Sequence, residues 1–190
     1  ANGMFAKALF RMGIPVSTRN IFPSNIEGLP TWSEVRVNDH GYLGRREGVD
    51  IMVAMNAEAF EEDVSSLLPG GYLVYDNSKE MPKSLLRPDI NLIGVPISTM
   101  LLSEFSIQKP RNLFKNITYL GVLAGLIDIE SEIITGMVST QYKGKDDLIE
   151  PKIRALEIGR NYAVKYLDAP IRFQVKRSDK VGDKIFVEGN

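Results

Sequence analysis

Two periodicities alternate along this chain. "ANGMFAKALFRMG" puts Met4, Phe5, Ala8, Leu9 and Met12 on one stripe at helical spacing, with Gly13 as a natural stop. "IPVSTRNIF" then switches to alternation, with Ile14, Val16 and Thr18 against smaller or polar residues, as a strand does. "TWSEVRV" alternates Trp32, Glu34 and Arg36 against Ser33, Val35 and Val37 and predicts a half-buried strand. The turn "NDHGYLG" leads on to a strand-like piece, so these last two are expected to pair as a hairpin. "VDIMVAM", "YLVYD" and "INLIGVP" are short continuous apolar runs, the mark of strands covered on both faces, as in parallel sheets.

Helical patterns separate and follow these runs. Asn56 is expected to cap "AEAFEEDVSSLL", whose Glu58, Glu61 and Glu62 fall in the first turns, where the helix dipole favours negative charge, and "PGG" is expected to end it. "ISTMLLSEF" starts another helix. "NLFKNITYLGVLAGLI" is apolar nearly all round, with Gly121 and Gly125 four apart, a pattern for close helix packing in a core or an interface. "IESEIITGMVSTQYK" opens acidic and closes on Lys143. "DDLIEPKIRALEIGRNYAVKYL" reads as a long helix with Ile153, Leu156, Ala163 and Leu167 on one face. Pro151 fits a first turn, which places the start near 147–150. The remainder, 169–190, is charged and partly strand-like and reads as a linker. Strand, helix, strand, loop, strand, helix is an α/β order, and right-handed crossovers imply an open, mostly parallel sheet covered by helices. Asn56, Asn77 and Ser78 follow the carboxyl ends of strands, where open parallel sheets place ligands.

Such a doubly wound unit opens on a strand and a glycine-rich turn, whereas this chain opens on the helix. The missing strand and turn are expected before residue 1, and the chain is expected to be a piece of a longer polypeptide. No secretory pattern opens it, and no apolar run reaches the ~18 residues of a membrane span.

Composition narrows the chemistry. The chain has 190 residues, 44% hydrophobic and 25% charged, with a net charge of −1, which gives no drive toward nucleic acid or an anionic membrane. It has no cysteine, which removes disulfides, thiolate-held iron–sulfur clusters and a cysteine nucleophile, and fits a cytoplasmic protein. The single histidine, His40, sits in a turn and reads as solvated, and a histidine-based metal site is not expected. Neither a phosphate-binding P-loop nor a serine nucleophile elbow occurs. Glu61–Glu62 and Asp146–Asp147 read as solvated helix starts.

The strongest candidate for a site is the loop 22–31, "FPSNIEGLPT". Pro23 and Pro30 stiffen it, which lowers the entropy lost on binding. Ser24, Asn25 and Thr31 offer donors and acceptors, and Arg19 and Arg36 on the flanking strands suit a phosphate or carboxylate. A plain turn closed by Ser24 and Asn25 is the competing reading. Arg45 and Arg46 read as a solvated pair.

At this loop the sequence resembles the gamma domain of the 2-oxoacid:ferredoxin (or flavodoxin) oxidoreductases, in particular the form fused ahead of a thiamine pyrimidine-binding domain in the alpha subunit of the 2-oxoglutarate type. "FPSNIEGLPTW", "VDIMVAMN", "LLPGGYLVYDNS", "KNITYLGVLAGL" and "ALEIGRNYA" carry the resemblance by their order and spacing, over nearly the whole chain. It implies a domain over 1–168, a linker over 169–190 toward a thiamine-binding domain, and a hetero-oligomer. It implies oxidative decarboxylation of a 2-oxoacid with coenzyme A to acyl-CoA and carbon dioxide, with ferredoxin or flavodoxin as electron acceptor. Thiamine diphosphate, magnesium and iron–sulfur clusters belong to the complete enzyme and are expected outside this chain, which itself supplies no catalytic residue or metal ligand. Arg19, Ser24, Asn25, Thr31 and Arg36 are expected on the coenzyme A or substrate side. Relatives often carry arginine and paired glycines where this chain has Glu27, Gly28 and Leu29, so Arg19 or Arg36 is left to make any anion contact. The alternatives are a stand-alone dinucleotide-binding oxidoreductase domain, disfavoured by the lack of an acid at the end of the second strand, and a non-catalytic assembly module.

Overall fold

A computed structural model describes residues 2–22, 31–105, 108–168 and 171–187. Helix α1 (Asn2–Arg11) ends where Gly13 takes a positive φ of 76°, and the amides of Gly13 and Ile14 turn back onto the carbonyls of Phe10 and Leu9. Strands β1 (Val16–Ile21) and β2 (Trp32–Val37) follow as an antiparallel pair, in register from Val16 opposite Val37 to Ile21 opposite Trp32.

The hairpin is therefore β1 with β2, and not β2 with the piece after "NDHGYLG". That piece is held as a turn. The Asn38 side-chain oxygen accepts the amides of His40 and Tyr42, while its Nδ2 donates to the Tyr42 carbonyl. Period two sorts the hairpin faces: Val16 and Val35 pack on the core, whereas Arg19, Trp32, Glu34 and Arg36 share the other face.

The main sheet is parallel, in the order β3 (Val49–Ala54), β4 (Leu67–Asp76), β5 (Asn91–Val95). A short 3₁₀ turn at Ala57–Ala59, capped by Asn56, leads into α2 (Phe60–Ser65). This helix is shorter than its sequence pattern suggests. The hydroxyls of Ser65 and Ser66 bond the carbonyl of Glu62, and Arg87 Nη1 takes the carbonyls of Val64 and Leu67 at 2.8 and 2.9 Å. "PGG" thus lies inside β4, where the register against β3 shifts between Val49 and Ile51 and Gly70 has φ 76°. Leu73 and Val74 are both fully buried: Leu73 lies in a small cluster with Val64 and Ile90, Val74 in the large one with Leu9 and Val95. Layers on both faces of the sheet explain the unbroken apolar strands.

The rest is helical: α3 (Ile97–Glu104), α4 (Gln108–Ile127), α5 (Ser131–Gln141) and α6 (Asp146–Tyr166). Helices α4 and α6 meet at glycine. A Cβ on Gly121 would lie 2.0 Å from the Leu156 carbonyl oxygen, and one on Gly159 would lie 2.1 Å from that of Thr118. The apolar α4 thus finds its partner inside this chain. Pro151 stands inside α6, five residues past its start at Asp146, and not in the first turn: one missing amide is tolerated within a helix of 21 residues. Residues 171–187 form neither helix nor strand and lie along the molecule. The amides of Val175, Ser178 and Val181 donate to the carbonyls of Ile127, Met12 and Gly13, and Arg177 pairs with Glu130.

Candidate functional site

Two polar assemblies stand out. The first closes the carboxyl edge of the parallel sheet, where Ala54, Asp76 and Val95 end their strands. The Asp76 carboxylate accepts the amide and hydroxyl of Ser98, the amide of Ser78 at 3.1 Å, and a longer contact from Lys115 Nζ at 3.4 Å. The Ser78 hydroxyl in turn takes the Thr99 amide at 3.2 Å. Burial pushes the Asp76 carboxyl up, but the hydrogen bonds from Ser98 and Ser78 outweigh it, and the group rests below the usual carboxylate range. Tyr119, buried beside it, donates to the Ala54 carbonyl at 3.2 Å, and burial followed by the Asp76 charge pushes its phenol well above normal. The amides of Ser98 and Thr99 in the first turn of α3 are thus taken by the protein's own carboxylate and hydroxyl, so this knot caps the helix and leaves those two amides unavailable to an incoming phosphate. Asn77 and Ser78, flagged by their place after a strand, belong here, whereas Ser98, Lys115 and Tyr119 carried no sequence signal.

The second assembly lies on the hairpin face that carries Arg19, Trp32, Glu34 and Arg36. Glu34 sits opposite Arg19 in the register and accepts it at 3.0–3.2 Å, and Arg45 reaches the same oxygen at 3.2 Å. Arg36, two residues along the same face, donates through Nε to the Tyr42 carbonyl at 3.1 Å. Among the described residues of β1, β2 and the turn after them, Arg19, Arg36 and Arg45 outnumber Glu34 on this face, and such an excess of guanidinium attracts anions. The structure brings Arg19 and Arg36 onto one surface and leaves Thr31 exposed at the start of β2, and Ser24 and Asn25 lie outside the described residues. Arg45, read from sequence as solvated, joins this cluster because the turn after β2 brings it back to Glu34. Arg46 pairs with Asp50.

At its far end the hairpin touches α2. Trp32 Nε1 donates to Asp63 Oδ1 at 2.7 Å, and Asp63 is only 3% exposed. Burial raises the Asp63 carboxyl above its usual range, the indole bond opposes the shift and neighbouring Glu62 adds to it.

The sequence pattern of the pyruvate ferredoxin/flavodoxin oxidoreductases matches residues 1–162. The chain belongs to this family. It is 24% identical to the alpha subunit of 2-oxoacid:ferredoxin oxidoreductase 2 from Aeropyrum pernix, over 82% of this chain and 30% of that protein. It is 25% identical to ketoisovalerate oxidoreductase subunit VorA from Methanothermobacter marburgensis, over 63% of this chain and 24% of that one. The fold matches 2-oxoglutarate:ferredoxin oxidoreductase from Magnetococcus marinus, solved with 2-oxoglutarate, coenzyme A and succinyl-CoA bound, with a TM-score of 0.79 at 23% identity, over 94% of this chain and 31% of that one. It also matches the gamma subunit of a keto/oxoacid ferredoxin oxidoreductase from Geobacter sulfurreducens, with a TM-score of 0.65 at 18% identity, over 86% of this chain and 89% of that subunit. The chain thus spans less than a third of the curated relatives it matches. As the resemblance implied, the fold is that of the family's gamma domain.

The donor set also bears on the family's cofactors. With no cysteine, the chain has no thiolates for an iron–sulfur cluster. Among the described residues no three acidic or histidine side chains converge as a metal site, and no helix is long and apolar enough to cross a membrane.

Proposed function

We propose that this chain is the gamma part of a 2-oxoacid:ferredoxin oxidoreductase with 2-oxoglutarate as substrate, and that its hairpin face supports coenzyme A or the oxoacid at the edge of an active site built mainly by other domains. In the complete reaction the carboxyl carbon leaves as carbon dioxide, the acyl group passes to the coenzyme A sulfur, and the released electron pair reduces ferredoxin. Thiamine diphosphate supplies the carbanion chemistry in a neighbouring domain. This chain's residues bind, position and assemble. One observation carries the reading: in a chain of this family, Arg19 and Arg45 meet at Glu34, and Arg36 stands two residues along the same hairpin face. Coenzyme A and a 2-oxoacid are both anions, and an excess of guanidinium on a rigid strand pair suits a phosphate or a carboxylate. The match to a structure holding 2-oxoglutarate and succinyl-CoA supports the choice of oxoacid. Domain boundaries at 168 and a following thiamine-binding domain belong to the same reading, as do a hetero-oligomeric assembly and a cytoplasmic setting.

Replacing Arg36 by alanine in the complete enzyme tests it. The KM for coenzyme A or for the oxoacid is expected to rise roughly ten- to hundredfold, the size of one lost charge-assisted hydrogen bond. Unchanged KM values for both would remove the hairpin from the site.

A further inference from the structure

The hairpin is secured unevenly. Its near end, Val16 opposite Val37, lies by α1 and the main core, which Val16 and Val35 join. Its far end, Ile21 opposite Trp32, borders the segment 22–31 and projects toward α2. A lone two-stranded ribbon is marginally stable in water, so a far end without an anchor frays. One contact meets that need. Trp32 Nε1 donates to Asp63 Oδ1 at 2.7 Å across 31 residues of sequence. The acceptor is a carboxylate on a six-residue helix, placed where solvent hardly reaches it. Burying that charge against a neutral indole donor is unfavourable beside an apolar or amide side chain of the same size. The gain lies in geometry: an indole has one donor and two χ angles, so fixing that donor fixes the ring and the first residue of β2.

We propose that Asp63 is a positioning residue for the anion-attracting hairpin, holding Trp32 so that Thr31, Arg36 and Arg19 keep a fixed orientation toward their ligand. The role rests on the reading of that hairpin face given above. It extends the site to α2, which packs on β3 and reaches the hairpin through Asp63. Loss of the anchor leaves every ligand-contacting group in place chemically but spreads it over several orientations. That form of damage appears in substrate affinity before turnover.

The test uses the complete enzyme and three variants. D63A removes the acceptor, W32F keeps the ring and removes the donor, and D63N keeps an acceptor oxygen without the charge. Hydrogen exchange read on peptides covering 16–21 and 32–37 is expected to quicken about tenfold or more in D63A and W32F, since the far end then opens locally. The KM for coenzyme A or for the oxoacid is expected to rise about tenfold in both, with kcat within about twofold, as for a misplaced but intact contact set. D63N is expected to stay near the parent on both readouts. Should D63A fail to fold, W32F and D63N carry the comparison alone. Unchanged exchange in W32F would overturn the anchor. Faster exchange with unchanged KM values, while R36A still raises one of them, would overturn the positioning role and leave the hairpin reading standing. Silence in R36A as well would show that the hairpin reading itself has failed.

Discussion

At the scale of single residues, a half-buried carboxylate, Asp76, and a buried one, Asp63, have opposite environments. Asp76 is surrounded by donors and sits low, whereas Asp63, held among the described residues by the neutral Trp32 indole, sits high. A carboxyl raised in the folded state contributes most below its unfolded pKa of about 3.9, and that contribution is lost as pH rises through the folded value. The D63N variant, unable to ionise, is therefore expected to melt above the parent at neutral pH. The gap should close as the buffer is taken below about pH 4, and melting curves across pH check it. A gap independent of pH would mean that the charge is not the cause. Little of this was legible beforehand. Asp63 reads as one more acid in an acidic helix start, and nothing local marks it as buried or paired with Trp32, 31 residues away. Arg19 and Arg36 were legible because alternation along a strand assigns them a face. Arg45 was not, because only the returning turn brings it to Glu34.

At the scale of elements, glycine positions separate packing from propensity. G121A places a methyl group against the Leu156 carbonyl, and its helix pair must part, at an expected loss of about 3 kcal/mol or more. Gly136 in α5 meets nothing within 4 Å, so G136A should gain about 0.5–1 kcal/mol through helix propensity alone. Chemical denaturation of the two variants reads both signs. The spacing of Gly121 and Gly125 announced close packing, but its partner was not legible, because Gly159 and Leu156 are found only by folding. Where the elements departed from their pattern, hydrogen bonds from side chains to the backbone decided. Arg87 and two serines end α2 early, and Asn38 turns the chain away from a strand that its residues allow.

At the scale of the molecule, residues 171–187 behave as a strap. Gly13 admits it: a Cβ there would fall 1.6 Å from the Ser178 carbonyl oxygen, and the positive φ excludes most side chains besides. Arg177 on Glu130 and Lys180 on Asp39 are solvent-screened pairs that add little, so the backbone bonds to Met12 and Gly13 are the decisive ones. G13A is expected to free the strap, and limited proteolysis should then cut within 171–187 well before the parent chain is touched. Equal cutting rates would show that the strap is held elsewhere.

The sequence by itself determined the kinds of element and their order, the parallel character of the central strands, the absence of thiolate chemistry and the family. All of these follow from periodicity, composition and motif order, which are local along the chain. Only the tertiary structure decided the strand that β2 pairs with, the path of the last described residues, the partner of Asp63 and the meeting of Arg19 and Arg45 at Glu34. Each of those joins residues distant in sequence, and what selects among such contacts is burial and hydrogen-bond satisfaction in three dimensions, which no local pattern encodes.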